Sequence, residues 1–140
     1  MSDYSQLIEV MKILREKALE AHRRNMRESE RLAEELAQID TLRNAVQADQ
    51  ASIGARQLLG ADALYQSWLL RKRAEILRQA ATIRILAHES LEKARDAWSR
   101  VQAVDDLMAE ENRQKRLKQL ARQSHALEEI NRLRPYFTEG

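Results

Sequence analysis

The chain has 140 residues, a net charge of +2, 33% charged and only 4% aromatic residues, with 3 Gly, 1 Pro and no Cys. Near-balanced charge argues against a dedicated nucleic-acid binder. The missing Cys excludes a disulfide framework and a thiolate metal site, and no run approaches the roughly 18 apolar residues of a membrane span. Ala, Leu, Glu, Arg and Gln dominate, which favours a long helical seam over a broad core. Asp3, Glu9, Lys12, Arg15, Glu16 and Lys17 interrupt the first 20 residues, unlike the apolar core of a signal peptide. The expectation is one folding unit, soluble and cytoplasmic.

A strict alternation of four and three from Leu7 picks out Leu7, Met11, Leu14, Ala18, Ala21, Asn25, Glu28, Leu32, Glu35, Ile39, Leu42, Val46, Asp49 and Ile53. Ten of these fourteen are apolar, as in a coiled-coil seam. This predicts a first helix over 3–50. Ser52, Gly54 and Gly60 are the only internal interruptions and place a turn at 51–61, with glycine supplying the left-handed conformation that ends a helix.

From Asp62 to Arg134 there is neither Pro nor Gly. Asp62 suits an N-cap and Pro135 a stop, so a second helix is predicted over 62–134 with a loose tail at 135–140. At about 1.5 Å per residue it would run about 110 Å. Such a helix cannot bury its stripe against itself. Its seam reads Leu69, Arg73, Ile76, Ala80, Ile83, Ala87, Ser90, Ala94, Ala97, Val101, Val104 and Met108. Folding at the glycines makes facing residue numbers sum to about 115. Val46 then meets Leu69, Ile39 meets Ile76, Leu32 meets Ile83, and Asn25 meets Ser90 in the one layer polar on both sides. Ala21 meets Ala94, Ala18 meets Ala97, Leu14 meets Val101, Met11 meets Val104 and Leu7 meets Met108. The predicted fold is all-α: a long two-helix antiparallel coiled-coil hairpin with the second helix longer than the first.

Residues 109–134 have no counterpart on the first helix. Arg113, Lys115, Arg116, Lys118 and Arg122 fall here, no acid occurs from Arg113 to Leu127, and Leu117, Leu120, Leu127 and Ile130 form an apolar stripe. A lone helix of this kind is marginal in water, so the overhang is expected to order on a partner. At the turn end, Tyr65, Trp68, Leu69 and Leu70 crowd together ahead of Arg71, Lys72 and Arg73. They cannot all face the first helix, so apolar surface is expected there.

No active site is legible. The three histidines form no His-x-x-x-His pair, and none follows a Glu by three residues. His88 with Glu92 and His125 with Glu129 stand four apart and read as surface hydrogen bonds, since a metal site needs more ligands than either offers. There is no phosphate loop, nucleophile elbow or Cys nucleophile. The chain reads as a non-enzyme with no catalytic residue, cofactor or metal, acting through surfaces.

Three stretches resemble a known family. They are Leu7-Ile8-Glu9-Val10-Met11-Lys12-Ile13-Leu14-Arg15-Glu16-Lys17, the start of the second helix at Tyr65-Gln66-Ser67-Trp68-Leu69, and Ala94-Arg95-Asp96-Ala97-Trp98. With the size and helix order, they make the chain similar to the FliJ family, the coiled-coil component of the flagellar type III export ATPase, and to its YscO-type injectisome counterparts. The resemblance implies a central stalk, with the paired chain ends in the pore of a hexameric export ATPase. The turn end would reach the cytoplasmic domain of an export-gate membrane protein, and export chaperones are implied as further partners.

By position, the resemblance assigns Leu7, Met11, Arg15, Arg113, Arg116, Leu117, Leu120 and Arg122 to the ATPase end. It assigns Leu42, Val46, Tyr65, Trp68, Leu69 and Lys72 to the gate end. Family members can carry tyrosines where this chain has Ala45 and Asp49. Nucleic acid and membrane insertion are not implied, the free chain is expected to be monomeric, and the location is cytoplasmic at the inner-membrane export apparatus. The alternatives are an injectisome stalk and a self-associating structural coiled coil.

Overall fold

A computed structural model describes residues 3–52 and 59–138. Two helices account for them, α1 over Asp3–Ser52 and α2 over Leu59–Thr138. They form the predicted antiparallel hairpin, with 80 residues in the second helix against 50 in the first. No strand occurs among the described residues.

The helix limits differ from the sequence reading at the turn and at the far end. Residues 53–58, with Gly54, lie outside those described, but Leu59, Gly60 and Ala61 are already helical. Asp62 therefore sits in the first turn rather than at the N-cap. There its carboxylate complements the positive end of the helix dipole. Gly60 does not take the left-handed conformation. At the other end, Pro135 does not stop α2, which continues to Thr138. Proline cannot donate to the carbonyl four residues back. Asn131 is exposed, so water can serve its carbonyl. Of the expected loose tail, 135–138 are helical and the rest lies outside the described residues.

Two units of structure are distinct, one of residues 15–96 and one of 1–14 with 97–140. In the first, Leu32, Ile39, Leu69 and Ile76 are buried as one cluster, with Leu36, Val46, Ala80 and Ile83 packed against it. These are the layers expected from register, with Leu36 added. Three of the unit's cross-helix hydrogen bonds fix the pairing. Arg73 Nε donates to Asp40 Oδ1 at 2.9 Å, and Asn25 Nδ2 donates to the Leu86 carbonyl at 3.2 Å. The third joins His22 Nδ1 and Ser90 Oγ at 2.8 Å. Their numbers sum to 111–113, within a helical turn of the predicted register.

The polar layer is correct in place but not in partner. Ser90 is buried and donates its hydroxyl proton to the Ala87 carbonyl. It therefore accepts from His22, whose Nδ1 carries the hydrogen. Asn25 caps the neighbouring carbonyl instead of meeting Ser90.

The seam of α2 is buried or half-buried at every predicted position. On α1, Met11, Ala18, Asn25, Leu32, Ile39 and Val46 also hold. The alternate set is displaced by one residue: Leu7, Leu14 and Leu42 are exposed, while Ile8 is buried and Arg15 and Arg43 are half-buried. At 21/22, 28/29 and 35/36 both neighbours share the contact. The seam thus runs through Ile8, Arg15, His22, Ser29, Leu36 and Arg43, a set with four polar members of six and therefore hidden from an apolar pattern. Arg15 keeps 23% of its side chain exposed. Its Nε is buried without a hydrogen-bond partner, so the guanidinium reaches solvent past an apolar stem. In the other unit Ile8, Val101 and Val104 are buried and Met11 and Met108 half-buried.

Two substitutions test these assignments. Ile76→Ala removes a 2% exposed side chain from the main cluster and should cost about 3 kcal/mol in denaturant unfolding. Gly60→Ala should stabilise by about 0.5–1 kcal/mol, because nothing lies within 4 Å of an added Cβ. A Gly60→Ala variant that lowers Tm would place Gly60 outside the helix.

Candidate functional site

The far end of α2 presents a long continuous exposed surface. Every residue from 112 to 136 is exposed. Its large apolar side chains stay more than half open, from 51% at Leu133 to 80% at Tyr136. Helical geometry shows why the seam ends here. The seam positions after Met108 are Glu111, Lys115, Lys118, Arg122 and His125, where charge replaces the aliphatic side chains that α1 would need. Leu117, Leu120 and Leu127 fall on roughly the opposite side, since each residue advances about 100° around the axis. The overhang thus carries a basic face in line with the hairpin seam and an apolar face turned away from it.

Part of the basic charge is neutralised locally. Arg113 pairs with Glu110 at 2.7 Å and Lys115 with Glu111 at 3.2 Å. Arg116, Lys118 and Arg122 have no ion-pair partner among the described residues. The hydrogen bond from Arg113, reinforced by its charge and by Gln114, holds the Glu110 carboxyl below the usual range. Of the predicted ATPase-end residues, Arg113, Arg116, Leu117, Leu120 and Arg122 are exposed on this helix, Leu7 is exposed on α1, and Met11 is half-buried. Arg15 belongs to the other unit and serves the seam.

The turn-end group is mixed. Tyr65 and Trp68 stack with ring centroids 6.1 Å apart and planes 13° from parallel, as residues three apart on a helix can. Both are exposed, as are Leu64 and Leu70. Trp68 forms one wall of a shallow depression continued by Arg71, Lys72, Ala74, Glu75 and Arg78. Leu42 is exposed beside a second, mainly apolar depression with Ala37, Gln38 and Thr41. Leu69 does not belong to this surface. It is 0% exposed and joins the core beneath, because the seam takes it rather than its neighbours. Val46 likewise packs on the core. The sequence reading missed Leu64, whose place beside the turn carries no periodic signal.

His88–Glu92 and His125–Glu129 are exposed pairs at 3.2 and 3.5 Å, as their spacing predicts. No group of three or more potential metal ligands occurs among the described residues, and no helix there is long and apolar enough to cross a membrane.

The Glu110–Arg113 pair gives a titration test. A carboxyl lowered in the folded state contributes helix stability above its ordinary value of 4.5, which is lost as pH falls through the lowered folded value. In Arg113→Gln the Glu110 carboxyl, followed by NMR, should titrate higher, toward 4.5. An unchanged Glu110 titration would show that Arg113 is not its partner in solution.

No family model, no curated protein and no solved structure matches the chain at a significant level.

Proposed function

We propose that the chain is a non-enzymatic stalk of the FliJ type, a cytoplasmic component of a bacterial flagellar type III export apparatus. In this reading the basic end of α2 enters the pore of a hexameric export ATPase. The observation that carries it is the exposed helical end over 112–136, with Arg116, Lys118 and Arg122 free of ion pairs among the described residues. Cations held on a helix suit an acidic pore lining, which would steer them in and release them at high salt. The apolar face with Leu117 and Leu120 supplies the non-polar contact that raises such an encounter above simple charge attraction.

The turn end is proposed as the gate contact. There Tyr65 and Trp68 provide flat exposed aromatic surface beside Lys72, the kind of anchor that dominates binding. Leu42 adds a flank, while Leu69 and Val46 support the end from within. The stalk needs no catalytic group of its own, because the partner hydrolyses ATP. An injectisome stalk would use the same surfaces, and export chaperones are further proposed partners.

The test is ATPase stimulation by the full chain. Combined charge reversal at Arg113, Arg116 and Arg122 should reduce stimulation of a hexameric export ATPase by about tenfold or more, with each interfacial charge worth roughly 1 kcal/mol. The variant should retain wild-type helicity, since all three side chains are exposed. Stimulation equal to that of the wild-type chain would overturn the assignment of this end.

A further inference from the structure

We infer that the outer face of the far half of α2 pairs with a second copy of this chain, antiparallel, about a two-fold axis near residues 111–113. Steps of three and four from Trp98 reach Asp106, Ala109, Arg116, Leu120 and Leu127 on one side of the helix. This side is turned away from the seam: Asp106 lies two residues from both Val104 and Met108, about 200° around the axis from each. All six side chains are exposed, Trp98 by 51% and Leu120 by 60%.

Charge selects the occupant. Glu110 and Glu111 are already matched to Arg113 and Lys115. What remains on this face without an ion pair among the described residues is two adjacent acids, Asp105 and Asp106, and, ten positions after Asp106, a base, Arg116. A parallel copy would set Asp106 against Asp106 and Arg116 against Arg116. An antiparallel copy sets each Asp106 opposite the second copy's Arg116, twice by symmetry. In the same register Trp98 comes within one helical turn of the second copy's Leu127, and Ala109 lets the helices approach near the axis. An acidic foreign helix would leave Asp106 facing like charge, whereas a second copy satisfies both signs.

Three large apolar side chains per copy bury on the order of 1,000 Å² in total, the lower limit for a specific interface. The pairing is therefore weak and reversible. It goes beyond the stalk reading and does not depend on it. If both hold, the two compete, because pairing covers Arg116 and Leu120, and the dimer is the state of the chain away from the ATPase.

Sedimentation equilibrium of the full chain should show a monomer–dimer equilibrium with Kd on the order of 10–100 μM at low salt, weakening as salt rises. Asp106→Arg and Arg116→Asp should each raise Kd about tenfold or more, and the double variant should return it to within about threefold of wild type. The chain has no Cys, so single cysteines report orientation. Arg113→Cys should oxidise to a cross-linked dimer and Leu127→Cys should not.

A chain that stays monomeric at millimolar concentration overturns the proposal. So does a Leu127→Cys cross-link, which would mark a parallel dimer, or a double variant that fails to recover. Arg122→Glu lies off this face. It should leave Kd unchanged while weakening ATPase stimulation, which separates failure of the pairing from failure of the stalk reading.

Discussion

An unbroken helix must find something to lie against along its apolar stripe, and this chain supplies that partner itself over part of its length. Leu32 and Ile39 of α1 and Leu69 and Ile76 of α2 are buried together, and the hairpin depends on their mutual removal from water. Neither helix has a second layer above it, so nothing else in the unit of residues 15–96 can replace this cluster. The helices themselves are favourable but not self-sufficient, since most helical stability in proteins comes from packing one face.

The cluster sets attraction, and the polar contacts set alignment. Aliphatic layers tolerate a slip of one heptad because one Leu resembles another. The Arg73–Asp40, Asn25–Leu86 and His22–Ser90 hydrogen bonds do not. A slip would take the half-buried His22 ring and Asn25 amide from their partners, and an unsatisfied buried polar group costs about 1–3 kcal/mol; Ser90 would keep its bond to the Ala87 carbonyl. Polar residues inside a coiled-coil seam commonly serve register at some expense of stability. Here they occupy the α1 positions that an apolar pattern passes over.

The surfaces left over follow from the same geometry. A hairpin buries one side of each helix and leaves the rest in solvent. Apolar residues off the seam, such as Trp68, Trp98 and Leu120, are exposed because no third element covers them. Their distribution is uneven: an aromatic pair with cations near the turn, and leucines on a helix of high charge at the far end. Both are exposed surfaces of mixed apolar and charged character, and among the described residues neither forms an enclosed cavity. The far half of α2 carries cations on its seam side and mixed signs on its outer face, so the two faces suit different partners.

Composition and periodicity alone determined the class of this protein. Few breakers, a dozen α2 seam positions at three-and-four spacing, and a glycine-bearing turn were enough to give the hairpin, its direction and the unmatched end. They sufficed because an α-helix writes its buried face into a simple repeat. Three matters were decided only in the tertiary structure. The α1 seam runs through Ile8, Arg15 and His22 rather than Leu7, Leu14 and Ala21 alone, because cross-helix hydrogen bonds and long-stemmed cations count as packing. Leu69 belongs to the core and its neighbours Trp68 and Leu70 to the surface, because a one-residue step rotates a side chain by about 100°. And the helix takes in Gly60, which has no positive φ, and runs past Pro135, whose missing donor leaves the carbonyl of the exposed Asn131 to water.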